Sequence, residues 1–179
     1  MAERKSRGAV RNLVMAALFI ALDIVFTRLF SVTVPGVDRF SLQFLSYVIC
    51  GYLLGPWWGM GTAIAGDLLG SMVSTGGMAF LPGFTVTAAL RGWLYGIFLH
   101  NRKLSAARCL ATEAAVNLVS LFLNSFWLAL YNGSGFWAMV IARFPARLIF
   151  IPVAGYLAFC VLKALGRAWR PFAQPKTEL

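Results

Sequence analysis

The sequence predicts an all-α membrane protein: one domain over residues 1–179, a bundle of six transmembrane helices with both termini cytoplasmic. Three observations predict it. Of the 179 residues 60% are hydrophobic and only 12% charged, with a mean hydropathy of +0.76. A soluble domain has ~45–50% apolar and ~25% charged residues, so too little polar surface remains here to cover a water-soluble globule. Six apolar runs alternate with turn-forming residues, and the basic residues bracket those runs mainly on one side.

The runs fall at Asn12–Phe30, Phe40–Leu54, Trp57–Val73, Gly83–His100, Ala106–Tyr131 and Phe136–Leu165. A spanning helix needs ~20 mostly apolar residues, and fewer where neighbours shelter it. The first run is read as a retained span and not a signal peptide, because Asp23 and Arg28 interrupt it and no A-x-A site follows. Val34-Pro35-Gly36 ends it. Gly55-Pro56 separates the second run from the third and excludes one long helix there. Ser74-Thr75-Gly76-Gly77 and Leu81-Pro82-Gly83 precede the fourth run, and Asn132-Gly133-Ser134-Gly135 precedes the sixth.

Orientation follows from the basic residues. Arg4, Lys5, Arg7 and Arg11 precede the first run, Arg102, Lys103 and Arg108 fill the fourth connection, and Lys163, Arg167, Arg170 and Lys176 close the chain. The positive-inside tendency assigns that side to the cytoplasm. The opposite loops hold only Asp38 and Arg39. An even number of spans returns the C-terminus to the side of the N-terminus.

Several function classes are excluded. The net charge of +10 is spread around the apolar runs and forms no stripe for nucleic acid. Cys50, Cys109 and Cys160 have no CxxC spacing and read as small core hydrophobes, with no cofactor or metal implied. His100, the single histidine, has no nucleophile at motif spacing. Neither G-x-S-x-G, Walker A nor H-E-x-x-H occurs, so the chain is read as a binding protein and not an enzyme. Uphill movement of a ligand therefore requires a partner that supplies energy.

Charged groups at bilayer depth cost at least ~2.5–3.5 kcal/mol on insertion scales and usually face a bundle interior or cavity. Asp23, Arg28, Asp67, Arg91, Glu113, Arg143 and Arg147 are such groups. Counting along the helices puts Arg28, Arg39, Arg91, Arg143 and Arg147 toward the outer side. Asp67 and Arg91 are level, and either pair with each other, or Arg91 meets a ligand carboxylate while Asp67 orients it or accepts from a donor edge. Glu113, Asn117, Ser120 and Asn124 recur on one helical face. Interhelical hydrogen bonding is the reading for Glu113 and Ser120, while Asn117 and Asn124 divide between that and ligand contact.

Phe80 and Phe84 flank the Leu81-Pro82-Gly83 turn at the outer mouth, and Phe40 and Phe44 lie level with them, one turn apart. Such rings anchor a membrane interface or stack on a flat ligand. Gly55, Gly59, Ala63, Gly66 and Gly70 on the third run have small-residue spacing suited to close helix packing. Ala17 and Ala21 share that spacing on the first run, as internal packing or as a flat face for another membrane protein.

Longer stretches resemble a known family. They are Ala16-Ala17-Leu18-Phe19-Ile20-Ala21-Leu22-Asp23 through Thr27-Arg28, Arg39-Phe40-Ser41-Leu42-Gln43-Phe44-Leu45, Gly55-Pro56, Gly66-Asp67-Leu68-Leu69-Gly70, and Phe80-Leu81-Pro82-Gly83-Phe84-Thr85 through Tyr95-Gly96. This order is similar to the folate-family substrate-binding (S) components of energy-coupling-factor (ECF) vitamin transporters. The resemblance implies a six-helix S component of the bacterial plasma membrane without its own ATPase. It implies partnership with a transmembrane coupling subunit and two cytoplasmic ATPases, with docking at Ala17 and Ala21. Ser46 stands where the family tends to have proline, and Ser74–Met78 lacks the usual proline. Folate fits the residue inventory. Arg28, Arg39, Arg91 and Arg143 suit its two carboxylates. Phe40, Phe44, Phe80 and Phe84 suit its flat ring, and Asp67, Asn117 or Asn124 its donor–acceptor edge. Pantothenate or cobalamin remains an alternative ligand, and an intramembrane enzyme an alternative class.

Overall fold

A computed structural model describes residues 2–29, 31–34, 38–73, 82–133 and 135–173. Six helices follow one another: α1 (Ala2–Leu29), α2 (Gln43–Leu54), α3 (Pro56–Val73), α4 (Pro82–Leu99), α5 (Ala106–Asn132) and α6 (Phe136–Ala173). Three of them, over Val10–Thr27, Ala106–Tyr131 and Phe136–Arg167, are long and apolar enough to cross a membrane. α2 is a shorter apolar helix. α3 and α4 have 18 residues each and carry Asp67 and Arg91.

The turn chemistry acts where the sequence places it. Gly55 sits at φ 89°, a left-handed conformation that glycine adopts without a Cβ penalty, and its N–H donates to the Gly51 carbonyl at 3.1 Å to close α2. Pro56 then opens α3 and Pro82 opens α4, each at a first helical position where a missing N–H costs nothing. Gly133, at φ 65°, ends α5 in the left-handed cap.

The bundle is all-helical as expected, and the connection between α1 and α2 adds a short antiparallel hairpin of β1 (Ser31–Val34) and β2 (Asp38–Ser41). Its register pairs Ser31 with Ser41, Val32 with Phe40, Thr33 with Arg39 and Val34 with Asp38. Phe40 therefore belongs to a strand, and α2 begins at Gln43 instead of Phe40. The β-branched run Val32-Thr33-Val34 favours extended backbone. Ser41 marks the switch: its hydroxyl donates to the Phe26 carbonyl at 3.2 Å and accepts the Gln43 N–H at 3.1 Å.

α4 is the central helix, packed on α3, α2 and α5; α5 also packs on α6, and α1 on α2 and α3. Missing side chains bring α3 and α4 together. A Cβ at Gly59 would sit 2.6 Å from the Gly92 carbonyl oxygen, and one at Gly92 would collide with the Gly59 carbonyl oxygen. Ala63 is fully buried in the same seam, and a Cβ at Gly66 would collide with the Asp23 carboxylate. The small-residue reading of α3 holds at these positions and not at Gly70, where a Cβ would meet nothing within 4 Å. Tyr47, Val48, Tyr95, Cys109 and Leu162 belong to the buried core cluster, and Cys50 is also fully buried. Cys50 and Cys109 are core residues as expected, whereas Cys160 faces outward from α6.

Candidate functional site

Polar side chains line a seam through the bundle, and every helix contributes to it. From α1, Asp23 is 2% exposed. Its Oδ2 accepts from Gln43 Nε2 at 3.3 Å, and the same nitrogen donates to Tyr47 Oη at 2.7 Å. Gly66 on α3 provides the space for that carboxylate. Ser46, where proline is usual in the resembling family, donates to the Phe19 carbonyl at 2.9 Å and ties α2 to α1.

Deeper in the bundle, Glu113 collects hydrogen bonds. Tyr95 Oη lies 3.0 Å from each carboxylate oxygen, and Asn117 Nδ2 donates to Oε2 at 3.2 Å and to the Glu113 carbonyl at 2.9 Å. Those bonds fix the Asn117 amide so that Oδ1 accepts from Arg147 Nη1 of α6 at 2.9 Å. Ser120 donates to the Val116 carbonyl at 2.6 Å. Interhelical bonding is thus the role of Glu113 and Asn117, while Ser120 bonds within its own helix.

Arg91 is within electrostatic reach of both the Asp23 and the Glu113 carboxylates. Its guanidinium carbon sits 5.5 Å from the centre of the Tyr47 ring, and it interacts electrostatically with Tyr95, Tyr47, Glu113 and Asp23. It does not pair with Asp67, whose Oδ2 instead accepts from Thr85 Oγ1 at 2.7 Å. Helical rotation explains the difference: Thr85 and Arg91 are six residues apart on α4, about 240° around its axis. The face that meets α3 carries Thr85, and Arg91 projects elsewhere.

Among the described residues, five buried side-chain polar atoms have no hydrogen-bond partner: Asp23 Oδ1, Arg91 Nε, Asn124 Oδ1, Ser125 Oγ and Trp127 Nε1. At ~1.5 Å rise per residue, Asp23 lies about 9 Å from the hairpin end of α1 and Asn124 about 12 Å from the corresponding end of α5. Arg91 lies about 14 Å from the start of α4. Arg91 thus lies at the midpoint of the 18-residue α4, and the other four atoms lie toward the hairpin end. The Trp127 indole lies against Gly83, where any Cβ would overlap the ring. That contact accounts for glycine within Pro82-Gly83-Phe84.

The expected site residues divide as follows. Asp67, Arg91, Asn117 and Asn124 belong to the seam. Arg143 is partly buried on α6, one turn before Arg147, and Phe84 is partly buried at the start of α4. Phe44 is not an open ring at a mouth: it is 2% exposed and meets Phe150 edge-on at 5.7 Å. Arg28 is in the last turn of α1, and Arg39 and Phe40 are in β2; their side chains, and Phe80 entirely, lie outside the described residues. The sequence reading missed Gln43, Tyr47, Thr85, Tyr95 and Trp127, and left Asp23 and Arg147 without a role. Helical spacing held the signal: Tyr47 follows Gln43 by four, Tyr95 follows Arg91 by four, and Trp127 follows Asn124 by three. Ala17 and Ala21 both face outward on α1, while Ala16, just before them, is buried.

No cluster of three or more His, Cys, Asp or Glu side chains suited to a metal occurs among the described residues. Apolar outer surfaces enclosing a polar interior define an integral membrane protein. The chain belongs to the family of substrate-specific components of ECF transporters, whose family model matches residues 11–162. That is a family of transporter components, not of enzymes. The chain is 30% identical over 159 residues to the folate transporter FolT of Clostridium novyi (strain NT), covering 88% of this chain and 91% of that one. FolT of Leuconostoc mesenteroides subsp. mesenteroides is 27% identical, covering 85% and 84%. A crystal structure of FolT bound with folic acid superposes with a TM-score of 0.76 at 24% identity, over 83% of this chain and 90% of that one, and establishes the shared fold.

Proposed function

We propose that this chain is the folate-capturing S component of an ECF transporter in the cell membrane. All six helices cross the bilayer, and both termini are cytoplasmic. The hairpin end of the bundle faces outward and receives the vitamin. The observation that carries this reading is the set of five unpartnered buried polar atoms among the described residues, four toward that outer end and Arg91 Nε at mid-bundle. A buried donor or acceptor left unsatisfied costs about 1–3 kcal/mol, so a native protein keeps several together only where something else satisfies them. Asp23 Oδ1 and Asn124 Oδ1 accept, while Arg91 Nε and Trp127 Nε1 donate. A pterin edge offers both complements, and the arginines at Arg28, Arg39, Arg91 and Arg143 suit the two tail carboxylates. The FolT relatives support folate over other vitamins.

The chain carries no nucleotide-binding motif, so energy enters through a coupling subunit and its two ATPases. The outward Ala17 and Ala21 supply the docking face, since small side chains permit close approach of a partner helix. The direct test is calorimetric titration of the purified chain with folate, pantothenate and cobalamin. Tight binding of folate alone is expected, with an affinity loss of roughly fivefold or more for Asn124→Leu. Binding of another vitamin in preference to folate overturns the ligand, and turnover of a substrate by the chain alone overturns the class.

A further inference from the structure

Two residues of α2 are absent from the ligand contacts proposed above, yet each touches a group that is among them. Gln43 and Tyr47 stand one turn apart on that helix. Gln43 Nε2 carries two N–H groups and uses both: one reaches Asp23 Oδ2 of α1 at 3.3 Å, the other Tyr47 Oη at 2.7 Å. Asp23 Oδ2 is also the atom for which Gly66 leaves room. One carboxylate oxygen is thereby fixed, and Oδ1 stays buried without a hydrogen-bond partner among the described residues.

The Tyr47 ring meets a charge from a third helix. The guanidinium carbon of Arg91 on α4 lies over it, 5.5 Å from the centroid, within the ~6 Å reach of a cation–π contact. An arginine side chain has several rotatable bonds and loses much freedom when it is ordered. A ring face that orders it before a ligand arrives removes that loss from binding. Tyr47 is 1% exposed, and as filler for that space a leucine or phenylalanine would serve. Packing alone does not account for tyrosine here. Leucine offers no ring face to Arg91, and phenylalanine leaves a Gln43 N–H without its acceptor.

We propose that Tyr47 is a positioning residue for ligand capture. Its ring holds the Arg91 guanidinium, and its hydroxyl, together with Gln43, holds the Asp23 carboxylate. A donor on α4 and an acceptor on α1 are thus set for one ligand by a single residue of α2. The assignment rests on the folate-capture reading above and adds to it a residue that acts through Arg91 and Asp23.

Calorimetric titration of the purified full chain with folate tests it in two backgrounds. Tyr47→Leu should weaken binding about fivefold or more, the size of a desolvated cation–π contact, and Tyr47→Phe, which keeps the ring, by no more than ~threefold. In Arg91→Gln, itself weaker than the wild type, adding Tyr47→Leu should lose no more than Tyr47→Phe loses alone, because the group that the ring holds is gone. Melting temperature should fall for Tyr47→Leu in both backgrounds, since each loses a buried ring. Tyr47→Met fills the space without a ring and takes the place of Tyr47→Leu if that variant does not fold. Equal affinity losses in the two backgrounds make Tyr47 core packing alone and overturn the proposal. Near-native binding by a folded Tyr47→Leu or Tyr47→Met overturns it too, as does a Tyr47→Phe loss as large as either. Where the wild type prefers pantothenate or cobalamin, the ligand reading fails by itself, and the same comparison with that vitamin still decides the role of Tyr47.

Discussion

Ala21→Trp separates capture of the ligand from coupling to the energy source. Ala21 faces outward on α1, so an indole there enters no packed space, and the folded chain should lose no more than ~0.5 kcal/mol. The seam residue on the same helix, Asp23, is buried on a different face, so the ligand site is untouched. A partner helix packed on this face would approach to ~8–10 Å between axes, a distance that a tryptophan side chain obstructs. Loss of only ~1.4 kcal/mol of docking energy lowers partner affinity tenfold, and occupancy by as much where the partner is below its dissociation constant. Uptake of labelled folate by cells carrying the whole transporter should therefore fall about tenfold or more, while calorimetry on the purified variant gives near-native affinity. Ala16→Trp is the internal control. Ala16 is 5% exposed, so the same ring overpacks the core at a cost of about 1–3 kcal/mol or more, and binding and stability should decline together. Normal uptake by Ala21→Trp, or lost binding in a folded variant, refutes the docking assignment.

Glu113→Ala strips the acceptor from Tyr95 and a partner from Asn117, and leaves Arg91 with fewer carboxylates nearby. Breaking a buried charged network costs about 3–5 kcal/mol, so thermal unfolding in detergent should occur at clearly lower temperature, with Glu113→Gln less affected. An unchanged melting temperature for Glu113→Ala contradicts the network. Gly92→Ala drives a Cβ toward the Gly59 carbonyl and should destabilise by about 1–3 kcal/mol. Gly61→Ala, with nothing within 4 Å of the new carbon, should be neutral or slightly stabilising, and equal melting shifts would contradict the α3–α4 contact. Arg28→Ala should weaken folate binding roughly tenfold through loss of a charge-assisted hydrogen bond, and Lys103→Ala should not. Equal affinities of these two variants by calorimetry remove Arg28 from the site.

Read alone, the chain determined where its helices lie, because hydropathy and turn chemistry are local. Gly55-Pro56 divides α2 from α3 whatever packs around them, and the runs at Ala106 and Phe136 begin where the structure begins α5 and α6. The family stretches were equally legible, being contiguous. The hairpin was not: Val32-Thr33-Val34 is too short for a periodic signal, and Phe40 adjoins an apolar run that continues into α2. Nor was the polar pairing. An apolar face toward lipid and one toward protein have the same composition, so only the rotation of each helix in the bundle decides that Phe44 and Ala16 turn inward while Ala17 and Ala21 turn outward. The same rotation gives Asp67 to Thr85, turns Arg91 onto the Tyr47 ring, and delivers Arg147 to Asn117 across 30 residues of sequence. Depth along a helix can be counted from residues, but direction around it is set by the neighbours that only the tertiary structure supplies.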